Sequence, residues 1–391
     1  MLRQLILLSL ALLLVGCSSF SSPMDWFSDE DPNPPAELVE LNETLGLQTL
    51  WTASVGEGTD DQRLKLVPSV YQGKVYVADA EGVVEALSAD TGARLWQVET
   101  ELPLSGGPGT GDGLVLVGSN DGDLIALDAT SGAEKWRSRL SSEVLSVPQA
   151  DRGVVVVHTM DGSLFGLNSA TGENVWRYDL SVPVLTLRGS SSPVINDGLV
   201  ICGFASGKLA ALDLATGSLQ WEITITVPSG RTELERMVDI DGDLAVQDDM
   251  IYVTTYQGSL AAVTATTGVV LWRRDMSSHA GASADPSQVY VSDTEDQVWA
   301  VDPHNGAALW KQKRLHARRL SAPAVLGDYV LVGDFEGYVH WLSSNDGRMV
   351  ARSRVGSDPI NTVPVVVDGV AYIYGDGGDL AAVRPAGTAR P

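Results

Sequence analysis

Five histidines, two cysteines and an excess of carboxylates are the groups with which this chain could do chemistry. The histidines, His158, His279, His304, His316 and His340, never fall at the HxH or HExxH spacings that bring two imidazoles onto one metal. Cys17 and Cys202 stand far apart, so no CxxC pair is spelled. The run Asp239-Ile240-Asp241-Gly242-Asp243 begins like a calcium loop, but an EF-hand needs Gly where Leu244 stands and Glu where Met250 stands. No GxSxG elbow occurs, and the glycine-rich SGGPGTGDG (105–113) lacks GxGxxG spacing. With 50 acidic residues, chance carboxylate pairs abound and nominate no general acid or base. The residues therefore name no catalytic group, no metal and no cofactor.

Charge and the N-terminus bound the setting. Acidic residues outnumber basic ones by 50 to 26, a field that opposes nucleic acid and anionic membrane surfaces alike. The leader MLRQLILLSLALLLVGC has a positive start and an apolar run too short to span a bilayer. It ends in Leu-Val-Gly-Cys, which resembles a lipobox that places a lipid on Cys17; a plain secretory signal with a chance cysteine is the alternative. Ser18 and Ser19 follow, not the Asp that resembles an inner-membrane retention signal, so an outer-membrane address is expected. With Cys17 acylated, Cys202 has no disulfide partner, and the core alone must hold the fold. Expected boundaries are a signal at 1–16, a lipidated Cys17 with a Ser-, Asp- and Pro-rich flexible tether to 44, and a folded body at 45–391. Trp26 and Phe27 interrupt the polar tether.

A repeat spells the elements that would position any functional group. ALDATSGAEKW (126–136) recurs at 86–96, 166–176, 211–221, 262–272 and 300–310, with a degenerate copy, WLSSNDGRMVA, at 341–351. Each copy reads as short apolar strands joined by Asp- or Asn-Gly turns, without helical periodicity. Trp51, Trp96, Trp136, Trp176, Trp221, Trp272 and Trp310 mark it at intervals of 45, 40, 40, 45, 51 and 38 residues. About four strands per 40 residues is the period of a propeller blade. The last repeat ends near Pro385 without its Trp strand, while residues 45–55 supply a Trp strand with no repeat before it. Joining them predicts an all-β, eight-bladed propeller of four-stranded antiparallel blades, closed by strands from both termini. The regular Trp distribution points to wedges between blades, against the alternative of a cluster stacking a sugar or quinone.

Departures from the period mark where binding would sit. Two excesses adjoin, in the 45- and 51-residue intervals on either side of Trp221, at residues 178–193 and 224–243. In the first, Leu185, Leu187 and Arg188 set apolar groups beside a cation, unless LTL is the buried innermost strand of blade 4. In the second, Asp239 and Asp241 form either a partner contact or a solvated acidic turn. The basic stretch WKQKRLHARR (310–319) stands against the acidic whole, as a patch for an acidic partner or as a solvated strand and loop.

The Ala-Leu-Asp-x-x-Thr-Gly-x-x-x-Trp repeat resembles the PQQ-like repeat of quinoprotein alcohol dehydrogenases and their non-enzymatic relatives. The adjacent cysteines those enzymes typically carry beside the quinone have no counterpart here. From lipobox and tether through the repeats, SVPVLTLRGSSSP and TELERMVDIDGD, the chain more closely resembles the BamB family, lipoprotein subunits of the β-barrel assembly machinery. That resemblance implies a non-enzymatic scaffold, anchored by its lipid at the periplasmic face of the outer membrane. It implies that Leu185, Leu187, Arg188, Asp239 and Asp241 bind periplasmic domains of BamA, and that the complex handles nascent outer-membrane proteins, in part by strand addition to blade edges. Gly242-Asp243 depart from the family pattern. A periplasmic PQQ-dependent quinoprotein and a glycan-binding lipoprotein are the alternatives.

Overall fold

The computed structural model describes residues 33–59 and 62–387. Cys17, the signal, and Trp26 and Phe27 lie outside the described residues. The chain divides into residues 1–35 and a body, Ala36–Pro391; the three described residues of the first unit hold no strand.

The body is a ring of eight four-stranded antiparallel blades, as the repeat predicts, with one short parallel strand added at the inner edge of blade 2. Blade 2 shows the pattern with Leu104–Gly111, Leu114–Ser119, Asp123–Asp128 and Glu134–Arg139 from inside to outside. The second strand is buried along its whole length because both faces of each blade are covered by neighbours. The outermost strand meets solvent, and only Trp136 within it is buried. The core accordingly sits between blades: Leu114, Leu116, Leu124 and Ala126 of blade 2 meet Val155, Val157 and Phe165 of blade 3.

Trp136 explains the spacing. A one-residue bulge before it, between the pairs Glu134↔Leu127 and Trp136↔Ala126, re-aims the indole toward the next blade. There its Nε1 donates to the Ser169 carbonyl at 2.8 Å. The same bond runs from Trp51 to Ala89, Trp176 to Leu214, Trp221 to Ala265, Trp272 to Pro303 and Trp310 to Ser344. Trp96 makes it more loosely, to Ala129 at 3.3 Å. Blade 7 puts buried Ala351 at the Trp position.

The turn that receives the indole must be glycine. Gly92 has φ +69°, and a Cβ there would come within 2.7 Å of the Trp51 ring. Gly73 has nearly the same φ, +73°, but faces open space. Gly73→Ala should therefore cost about 1 kcal/mol from backbone strain alone. Gly92→Ala should cost about 2–4 kcal/mol, because the methyl also displaces the indole. Chemical denaturation of both variants checks this; equal losses would show that the indole yields freely.

Ring closure comes from both ends of the chain. Leu47–Ser54 pairs antiparallel with Asp379–Pro385, from Leu47↔Pro385 to Ser54↔Asp379, and completes blade 8. Ahead of it, residues 36–44, expected as tether, are bonded to the body. Ala36 donates to His316, Thr44 to Val350, and Arg318 reaches the Ala36 carbonyl at 3.0 Å. Arg318, within the basic stretch, is itself buried against Asp334 and Glu336, while Lys313, Arg314 and Arg319 are exposed. That stretch is thus partly structural.

Candidate docking surface

Antiparallel order puts every blade-to-blade connection at the same end of the ring as the turn between second and third strands. The two long connections meet there. Residues 181–193 are irregular, and the innermost strand of blade 4 begins only at Val194–Asn196, which overturns the buried-strand reading of LTL. Val184 is 95% exposed and Leu185 42%, while Leu187 is half-buried. From the second connection, Val227 and Leu234, 72% and 59% exposed, add apolar surface. Sequence reasoning singled out neither.

Asp239 is the junction. It is 1% exposed, flanked by buried Val238 and Ile240, and its Oδ2 accepts the Leu187 amide. The acidic run is therefore no solvated turn. Burial, aided by the neighbouring Asp241 charge, pushes the Asp239 carboxyl up to about 7 against the pull of the Leu187 hydrogen bond. Burial likewise pushes Asp241 up to about 6, with Lys65 opposing. Oδ1 of Asp239 has no hydrogen-bond partner among the described residues. Gly242 lies so close to Gly281 that a Cβ would come within 2.5 Å of its Cα.

Arg188 is exposed but oriented. It pairs with Glu143 of the blade 2–3 connection and reaches Asn120 Oδ1 at 3.4 Å. Lys65 spans to the same region: its ammonium meets the Ser190 and Asp241 carbonyls at 2.9 and 3.2 Å and Asp243 Oδ1 at 2.7 Å. The sequence carries no signal for Glu143 or Lys65 as parts of this site, since both come from other connections.

Beneath the surface a cavity of about 10 Å³, lined by His158, Ser190, Ile240 and Asp241 among others, has room for about one water and not for a quinone or sugar. Cys202 is free and buried, its thiol pushed up by burial, while burial pushes the adjacent His158 down to about 4. Desolvation holds both neutral, the opposite of an activated thiolate pair. Among the described residues no group of three His, Cys, Asp or Glu is placed to hold a metal.

Eight blades, seven of them seated on the next through a tryptophan and a glycine turn, define a propeller of the PQQ-like repeat class. A quinohemoprotein alcohol dehydrogenase from Comamonas testosteroni shares that fold, with a TM-score of 0.67 at 16% identity over 88% of this chain and 77% of that one. Nearer kinship lies elsewhere. The family model described as outer membrane protein assembly factor BamB matches residues 33–103, 80–312 and 300–389, and the chain belongs to that family. The BamB of Pseudomonas aeruginosa is 48% identical over 376 residues, covering 96% of this chain and 97% of its own. That of Alkalilimnicola ehrlichii is 50% identical over 382 residues, covering 98% and 97%. The crystal structure of BamB from Moraxella catarrhalis superposes with a TM-score of 0.79 at 29% identity, covering 87% of this chain and all of that one. The chain thus stands with non-enzymatic assembly factors, and its likeness to dehydrogenases is one of fold.

Proposed function

We propose that this assembly factor is a scaffold, held by an acylated Cys17 at the periplasmic face of the outer membrane and docked on a periplasmic domain of BamA. A single acyl chain binds membranes only marginally, so a stable anchor would need more than one. Leu185, Leu187, Arg188, Asp239 and Asp241 are the residues proposed to meet the partner. The observation that carries this reading is the bond between the two long connections, Leu187 amide to Asp239 carboxylate, which joins them into one surface. That surface sets exposed Val184 and Leu185 beside an oriented cation. Apolar side chains of this kind supply affinity, and a charge held by Glu143 supplies direction more than strength.

The full-length chain in detergent should bind BamA of the same organism. Leu187→Ala/Arg188→Ala and Asp239→Ala/Asp241→Ala should each weaken binding by about 100-fold or more, with circular dichroism unchanged. Failure of the wild type to bind, or full binding by both folded double variants, removes the proposal.

A further inference from the structure

Lys65 belongs to neither docking connection. It sits between blades 8 and 1, on a two-residue strand, Lys65–Leu66, that runs parallel to the inner edge of blade 2 as a fifth strand of that sheet. Leu66 is fully buried and Val67 donates its amide to Gly107, so the backbone under Lys65 is fixed. From that base the side chain crosses to blades 4 and 5. An ammonium has three N–H donors, and here each has an acceptor. One is Ser190 O in the connection carrying Leu185, Leu187 and Arg188; the others are Asp241 O and Asp243 Oδ1 in the connection carrying Asp239. Asp243 Oδ1 also accepts the Ser192 amide at 3.2 Å, so the same ion pair ties back to the first connection.

We infer that Lys65 is the positioning residue that holds the two connections together and so pre-forms the surface that meets BamA. The inference rests on the docking reading above. Without the ammonium, the Ser190 and Asp241 carbonyls would lose their donor, and only the Leu187–Asp239 and Ser192–Asp243 bonds would join the connections, which would loosen. The partner would then have to order them on binding, at a cost in affinity. The charged groups that meet Lys65 from the blade 4–5 connection are Asp241 and Asp243. His158 and Cys202 face it from blades 3 and 4.

Lys65→Met keeps the length of the stem and removes the charge; Lys65→Arg keeps charge and donors. In the free full-length chain, Lys65→Met should speed hydrogen exchange at residues 187–192 and 239–243, while the strands Leu199–Gly203 and Met250–Thr254 stay protected. Carboxyl NMR should show Asp241 titrating at higher pH, because Lys65 opposes its rise. BamA should bind about ten-fold more weakly to Lys65→Met and near normally to Lys65→Arg. Unchanged exchange and titration in Lys65→Met would overturn the inference, as would normal binding by Lys65→Met where Leu187→Ala/Arg188→Ala fails. If the wild type does not bind BamA, the docking reading falls and the exchange data alone decide whether Lys65 orders the connections. If Lys65→Met does not fold, Asp243→Asn, which leaves Lys65 in place, should loosen the same two segments; unchanged exchange there overturns the inference.

Discussion

Asp239→Asn is expected to make the free chain more stable at pH 8 and no more stable at pH 4. In the unfolded chain this carboxyl titrates near 3.9; in the fold, burial and the Asp241 charge push it up to about 7. The folded state therefore binds the proton more tightly. The stability this confers is complete below about pH 4 and is lost as pH rises through 7. At pH 8 the wild type carries a buried anion whose Oδ1 has no hydrogen-bond partner among the described residues. Asn offers an amide oxygen to the Leu187 N–H and carries no charge. The gain at pH 8 should be about 2–4 kcal/mol, read as a rise in Tm. Asp241→Asn should act in the same direction but not additively, because the two carboxyls feel each other. Since Asn preserves the Leu187 contact, any loss of BamA binding by Asp239→Asn reports the charge rather than the geometry, and about ten-fold is expected at pH 8. A Tm difference between variant and wild type that does not change with pH would mean that Asp239 is ionised throughout, and the argument would fail.

How much of this was legible depended on whether the physics was local. The eight blades were, because the Trp-to-glycine seat recurs at fixed spacing and each seat needs only a short motif from each of two adjacent repeats. The innermost strands were not: Ser69–Tyr71 and Gln149–Asp151 are three residues long and half-buried, with no alternation to read. Leu185, Leu187 and Arg188 stood out because their connection exceeds the period, yet the same letters fitted a buried strand. The Leu187 N–H decides between the two, since it bonds Asp239 instead of a neighbouring strand, a choice made 52 residues away. Burial of Asp239 has a local signal in the sequence. Met237, Val238 and Ile240 around it are apolar, and all three are buried in the structure. Lys65 had no signal at all, because its partners lie 125 and 176 residues along the chain.

Trp51→Ala should damage the molecule more than Trp136→Ala, although the two indoles make the same local contacts. Each donates to a carbonyl of the next blade, at 3.0 and 2.8 Å, and each covers a left-handed glycine turn, Gly92 or Gly172. Loss of either indole removes about 3–5 kcal/mol of packing. Trp136 joins blades 2 and 3, which remain tethered by an unbroken chain. Trp51 joins blade 8 to blade 1 from the strand Leu47–Ser54, which closes the ring by pairing with Asp379–Pro385 and is backed by the bonds of Ala36, Thr44 and Leu45 to the body. If that strand lets go, the ring becomes an open array with two ends, from which blades can unfold stepwise. The Asp379–Pro385 strand would then present an unpaired edge to other molecules. Trp136→Ala should unfold at lower temperature in one cooperative transition and stay monomeric. Trp51→Ala should unfold over a broader range, exchange amide hydrogens rapidly at residues 379–385, and self-associate as concentration rises. Calorimetry, hydrogen exchange and light scattering on the two variants make the comparison. Equal transitions and two monomers would mean that the strand pairing alone closes the ring, with Trp51 contributing no more than any other blade tryptophan.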